Sequence, residues 1–387
     1  MNDGIGSGKT TVIARHVDTW RLCINNGCVA HHLPLEALHR AQGAAVQEAC
    51  GFILPQHYGD VVAEHEAATK GVGVIDRSLI GKVTVTGRDR QAFLQGMLSH
   101  EIKSLQPGQG TGAAFLDAHG KVMALLHVYV LEDRLLLELP PGHTQLTLER
   151  LDKFLISEKA YFEASDDSFA VLAVEGRGAE ALLSSLCGRS LDLAPYHHVE
   201  ASVAGAPVRV IRRSDTGGPG FHCWTMPFHG AALWQALVEA GARPVGEEAL
   251  NVLRIEAGIP RYGLDVDENV ILPETRLEQL VSYNKGCYIG QEVVAHVKYR
   301  GHVNRALSGL ALDCDRVPAP GASLVSDGDD KEIGQITSAV RSIALGRPIA
   351  LGYVRREHFA PGTAVTVRDG DAIVSARVAE LPFVKSS

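Results

Sequence analysis

Apolar positions along the chain alternate between period two and helical spacing, and this divides it into elements. Residues 82–86, KVTVT, alternate and predict a strand. After Gly87, the stretch RDRQAFLQGMLSHEI sets Phe93, Leu94, Met97 and Leu98 on one side of an amphipathic helix. AAFLD, the turn DAHG and KVMALLHVYVL predict a hairpin. RLLLEL adds a strand closed by Pro140 and Pro141, and 143–156 stack Leu148, Leu151 and Leu155 on a helix. Earlier, 33–55 are expected to hold a helix with Leu35, Leu38 and Ala45 on one side. Residues 60–70 predict a second short helix carrying Glu64, His65 and Glu66.

A second α+β block is expected over about 168–245. Its strands lie near FAVLAVE, PVRVIRR and FHCWTMP, and its helices near AEALLSSLC and AALWQALVEA; the glycine-rich stretch 216–220 is a turn. Residues 247–258 form a helix stopped by Gly258 and Pro260. Beyond about 305 the chain is strand-rich and punctuated by turns, predicting a small antiparallel barrel or sandwich.

With 387 residues the chain is long enough for two or three such units. Its 45% hydrophobic and 21% charged residues exclude a largely disordered chain, a collagen and a coiled coil. A net charge of -8 argues against a dedicated nucleic-acid binder, because an acidic surface repels phosphate. No run of 18 apolar residues and no signal-peptide pattern is found. Seven scattered cysteines, an odd number, argue against a disulfide framework. A cytoplasmic protein without membrane partners is expected.

The N-terminal DGIGSGKTT is close to a phosphate-binding loop, but Asp3 stands where that motif needs its first glycine. Cys23, Cys28, His31 and His32 offer zinc-type ligands, yet adjacent histidines point poorly at one metal and no second cysteine pair supports them. Residues 1–32 therefore read as an extension, and no metal is assigned.

Glu256 shares a helix face with Ala249 and Leu253, so it lies near the buried stripe. A carboxylate there needs donors. Arg254 or Arg261 could provide them, and so could a pterin or guanine ring with an amine beside a ring N–H. Cys287 sits between Gly286 and Gly290, two residues from Lys285 and just before a helix. That setting suits a nucleophile, a metal ligand or a redox thiol, against the alternative of an inert buried cysteine. Arg300, His302, Asn304 and Arg305 suit either an anionic ligand tail or a solvated turn.

The segment KGCYIGQE at 285–292 resembles the signature of the YgfZ-type folate-binding proteins, in the superfamily of the glycine cleavage T-protein, an aminomethyltransferase (GcvT). LPLEALHRAQGA, QHYGDVVAEHEAATKGVGVIDRS, VTGRDRQAFLQGMLSHEI, RIEAGIPRYGLDVDE and LPFVK resemble family segments in the same order. The resemblance implies an α+β fold, a three-domain GcvT/YgfZ-like cloverleaf with a C-terminal antiparallel β-barrel. It divides the chain into an extension at 1–32, a folate-binding core from 33–165 with 247–304, a second α+β domain at 166–246 and a barrel at 305–387.

The same resemblance implies that Glu256 holds the pterin of tetrahydrofolate, that Cys287 supplies a reactive thiolate, that Lys285 tunes it or contacts folate, and that Arg300 and Arg305 meet the glutamate tail. Aminomethyltransferases carry an aspartate pair after the hairpin, where this chain has Ala124 and Leu125, and an asparagine where it has ELPPG. Neither Ala124 nor Leu125 can accept a hydrogen bond. The expectation is therefore a tetrahydrofolate-binding accessory protein for iron–sulfur cluster assembly or repair, partnered by iron–sulfur enzymes or cluster-assembly proteins. The alternative is a tetrahydrofolate-dependent aminomethyltransferase or a related demethylase.

Overall fold

The computed structural model describes residues 30–49, 51–326 and 331–385. The phosphate-loop-like segment and the two cysteines of the zinc-like cluster lie outside them. The described chain opens with β1 (His31–His32), α1 (Glu36–Ala41), β2 (Ala45–Ala49) and β3 (Phe52–His57), whose strands form a sheet in the order β1-β3-β2. The single helix expected over 33–55 is thus corrected. Gly43 takes φ +80°, which ends α1, and residues 45–49 pair antiparallel with β3 although Ala, Gln and Glu favour helix. Pairing overrides propensity here.

Next come α2 (Val61–Lys70), β4 (Gly73–Asp76), β5 (Gly81–Thr86), α3 (Arg90–Met97), β6 (Gly110–Leu116), β7 (Val122–Val130), β8 (Leu135–Leu139), α4 (Thr144–Asp152) and β9 (Tyr161–Ala164). The strands β6-β7-β8-β5-β9 make a five-stranded sheet in that order. Along β7 the period-two pattern separates two faces. Ala124, Leu126 and Val128 enter a core with Phe93 and Leu94 of α3 and Leu151 of α4. Leu125 and His127 face the other way, only partly buried. Burying one large side chain such as Phe93 or Leu94 stabilises the packing by about 1.5–3 kcal/mol.

The second block contains β10 (Ala170–Glu175), α5 (Ala179–Cys187), β11 (His198–Val203), β12 (Ala206–Arg212), β13 (Gly220–Thr225), α6 (Pro227–Glu239) and β14 (Arg243–Pro244). Its sheet runs β11-β12-β13-β10-β4-β14, so it takes β4 from much earlier in the chain. One face packs on α5 and α6 through Val74, Leu172, Phe221, Leu183 and Trp234. The opposite face brings Val171, Ile211 and Trp224 against Tyr129 and Leu136 of the five-stranded sheet. The two sheets therefore meet, and the space beside this contact holds the candidate site.

After α7 (Glu247–Glu256) and α8 (Gln291–Tyr299), six strands close a barrel: β15 (Arg305–Leu312), β16 (Ser323–Ser326), β17 (Glu332–Arg341), β18 (Pro348–Arg355), β19 (Ala364–Asp369) and β20 (Ala372–Ala379). Its order is β15-β18-β17-β16-β19-β20, every pairing antiparallel, as the turn-punctuated pattern predicts. Gly290 precedes α8 at φ +80°, and a Cβ there would lie 2.6 Å from the carbonyl oxygen of Asp117. Only glycine lets this helix start against the β6–β7 turn.

Candidate functional site

A cavity of about 520 Å³ lies between the two sheets and α7, a volume suited to a small organic ligand. Leu125 and His127 of β7 and Glu138 of β8 line one side. Arg213 and Asp215, just beyond β12, line the other, with Leu250 of α7 and Leu280. The register brings His127 opposite Glu138 on β8 and opposite Gly112 on β6. A Cβ at Gly112 would lie 2.7 Å from Leu280 and 3.5 Å from the His127 ring, so the missing side chain leaves room for both.

A buried ionic network forms one wall. Arg213 Nη1 lies 3.0 Å from Glu138 Oε1 and 2.9 Å from Asp215 Oδ1. Arg77 Nε lies 2.8 Å from Asp215 Oδ2, and its Nη1 2.9 Å from Glu247. The His222 ring is close to both acids, 3.6 Å from Glu138 and 3.3 Å from Asp215. Tyr129 donates its hydroxyl to Glu138 Oε2 at 3.1 Å. Burial by itself would raise the Glu138 carboxyl, but Arg213 and then His222 hold it well below the usual carboxylate range. Removing one member of such a network leaves an uncompensated buried charge, at a cost of about 3–5 kcal/mol.

His127 is different. Its side chain is 21% exposed, against 3% for Glu138. Its Nδ1 lies 3.7 Å from Glu138 Oε1, and its ring stacks on Tyr196 with centroids 5.3 Å apart. Arg213 Nε approaches Nε2 at 3.5 Å. Burial and then the Arg213 charge push this imidazole down to about 3, so it is neutral at neutral pH.

Glu175, Asp215 and His222 bring three potential metal-ligand atoms within 4.8 Å of one another. The positive charge there already comes from Arg77 and Arg213. The Glu175 oxygens accept from Ser214, Thr216 and the Asp215 amide. A divalent cation would have to displace these partners.

Of the residues expected from sequence, Glu256 lies at a second cavity, of about 380 Å³, bounded also by His65, Lys70 and Arg177. Both its oxygens are engaged. Oε2 meets His65 Nε2 at 2.7 Å, and Oε1 accepts from the Ser342 hydroxyl at 2.6 Å and the Ala344 amide at 3.0 Å. Burial opposes ionisation, but these three donors hold the carboxyl below its ordinary value. Arg254 pairs instead with Asp265, at 2.8 Å, and Arg261 with Glu247, at 3.1 Å.

Lys285 is buried, and its ammonium donates to the carbonyls of Gln95, Leu98 and His100 at 2.5–2.8 Å. Burial brings it down to about 8. Arg305 pairs with Glu274 at 3.1 Å and lies 5.0 Å from the Tyr353 ring centre. Arg300 and Cys287 are exposed. Lys285, Cys287, Arg300 and Arg305 line neither cavity, nor a third of about 360 Å³.

The structure separates the two positions that carry no aspartate. Ala124 is wholly within the core of the five-stranded sheet, and Leu125 faces the large cavity. Only position 125 could present a carboxylate to a ligand. Sequence reasoning passed over His127, Glu138, Arg213, Asp215 and His222. A faint signal was available: polar residues break otherwise apolar strands at 127, 138 and 222.

Comparison with known proteins accords with the two-part architecture. Residues 35–285 match the GCVT N-terminal domain, and 305–385 match the glycine cleavage T-protein C-terminal barrel domain. A protein of Streptomyces avermitilis named aminomethyltransferase is 34% identical over 342 residues, covering 86% of this chain and 91% of the relative. One from Streptomyces coelicolor with the same name is 33% identical over 361 residues, covering 91% and 96%. The crystal structure of glycine cleavage system aminomethyltransferase T from Bartonella henselae superposes with a TM-score of 0.85 at 25% identity, covering 92% of this chain and 99% of that one.

These likenesses overturn the expected iron–sulfur accessory function. The relatives that span most of the chain are named for aminomethyl transfer. Among the described residues, Cys287 belongs to no cluster of three histidine, cysteine or carboxylate groups. No described helix is long and apolar enough to cross a membrane.

Proposed function

The chain belongs to the glycine cleavage T-protein (aminomethyltransferase) family, and from that premise we propose that it transfers a one-carbon group to tetrahydrofolate held in the cavity between its two sheets. The observation that carries this reading is the cavity itself, about 520 Å³ in volume and enclosed by both α+β sheets. Its apolar walls at Leu125, Leu250 and Leu280, with the stacked His127 and Tyr196 rings, suit a flat heterocycle. Arg212, which also lines it and is partly exposed in its ion pair with Glu180, suits a carboxylate.

In this reading Glu256, Lys285 and Arg305 act through the fold, since each is engaged by protein groups. Glu256 ties α7 to α2 and to the loop after β17, and Lys285 holds the loop after α3. Arg300, exposed beyond α8, remains a candidate for an anionic tail.

Purified protein should bind a reduced folate under anaerobic conditions and form methylenetetrahydrofolate from an aminomethylated lipoyl carrier. Absence of reduced-folate binding would sink the reading. Leu125, at the position that faces the cavity without a carboxylate, favours a second form of it, a related demethylase. Methyl transfer from methylated amines, read as methyltetrahydrofolate in place of methylenetetrahydrofolate, separates the two.

A further inference from the structure

The chain that walls the intersheet cavity at Leu277 and Leu280 has a second side, facing the cavity of about 360 Å³ between α8 and the barrel. Among the described lining residues the two cavities share Leu277 alone. Leu272, Val294 and Ala306 are buried and give the smaller cavity an apolar floor. Half-buried Val281, Val297 and Val303 continue its walls. Its charged lining residues, Arg276, Glu278 and Lys298, are all exposed and so stand at the mouth.

Lys298 and Glu278 satisfy each other at 2.9 Å. Arg276 is different. Among the described residues its guanidinium makes no hydrogen bond and no ion pair; it lies over the Phe359 ring, 5.0 Å from the centre. Burial lowers its pKa and no carboxylate opposes this. Its backbone takes φ +59°, a left-handed conformation that glycine adopts without the Cβ clash. An arginine held in this conformation points to a use for its side chain.

We propose that this cavity binds a monocarboxylate with an unbranched aliphatic chain, the head group on Arg276 and the chain along the valines. The guanidinium offers a planar fork to both carboxylate oxygens while its face stays on Phe359. The mouth carries two cations and one acid, so one positive charge is left to balance. A singly charged carboxylate balances it, whereas a phosphate dianion leaves a negative charge over. The floor residues Leu272, Val294 and Ala306 have no polar side-chain atom, so a polar tail would be buried without partners. The site is independent of folate transfer.

Calorimetric titration of the full-length protein with octanoate tests this. Octanoate binds saturably at one site. Octanol, which has the chain without the charge, binds at least about tenfold more weakly. Hexanoate binds about tenfold more weakly, from the loss of two buried methylenes. Arg276→Gly relieves the left-handed backbone, so its thermal midpoint is no lower than that of wild type, and its octanoate affinity falls at least about tenfold. Val297→Trp fills the cavity and abolishes binding with Arg276 still present. Saturating 5-formyltetrahydrofolate leaves octanoate affinity unchanged.

No saturable octanoate binding to wild type overturns the proposal, as does unchanged affinity in folded Arg276→Gly or equal affinity for octanol. Tighter binding of octyl phosphate than of octanoate overturns the carboxylate class. Displacement of octanoate by 5-formyltetrahydrofolate overturns the separate site.

Discussion

The imidazole of His65 on α2 meets the carboxylate of Glu256 on α7 at 2.7 Å, across 191 residues of chain. With Ser342 and the Ala344 amide on the same carboxylate, this contact joins two helices to the barrel. Glu256→Ala leaves all three partners unsatisfied and should lower unfolding stability by about 2–4 kcal/mol in urea titration. Reduced-folate affinity of the folded variant should stay close to wild type. Lost affinity at unchanged stability would return Glu256 to the pterin role that its motif suggests.

Lys285 should behave as a clamp. Its ammonium serves three carbonyls at the end of α3 and in the loop that follows, and methionine can serve none. Lys285→Met should cost about 1–3 kcal/mol, read as a lower midpoint in thermal or urea unfolding. An unchanged midpoint would show that these carbonyls find other donors.

Cys287 is exposed and lines no described cavity. Cys287→Ala should leave stability within about 0.5 kcal/mol and folate-dependent transfer at the wild-type rate. A large loss of turnover in that variant would contradict the assignment of the chemistry to the intersheet cavity.

Glu175 makes stability depend on pH. Burial first, and then the Asp215 carboxylate, raise its pKa from 4.5 to about 7, and His222 partly opposes this. Between those values the folded chain retains a proton that the unfolded chain has released. The stabilisation is therefore complete below pH 4.5 and is lost as pH rises through about 7. Measured against Glu175→Gln, which cannot titrate, wild-type stability should decline over this window. Parallel pH profiles would refute the assignment.

Local periodicity carried most of the architecture into view. KVTVT, the two-faced hairpin strand and the α7 stripe all form as their spacing predicts, because each buries its own apolar face. Residues 45–49 escaped, since pairing with β3 depends on a partner that composition does not reveal.

The site was far less legible. His127 and Glu138 become neighbours only through strand register, and Arg213 and His222 reach them from another sheet. The Lys285 motif was visible, but its carbonyl partners lie some 190 residues away. A motif can therefore mark a clamp as easily as a reactive group.

The strand β4 completes a sheet whose next member, β10, is made much later: Asp76 pairs with Leu172 and Gly73 with Glu175. At synthesis rates of about 5–20 residues per second, β4 leaves the ribosome roughly 5–20 s before its partner exists. During that interval its apolar residues, Val74 and Ile75, have no sheet to join. The nascent chain must shelter them or delay their collapse. Severing the protein between its two α+β sheets would leave one fragment with an orphan strand and the other with an open edge at β10.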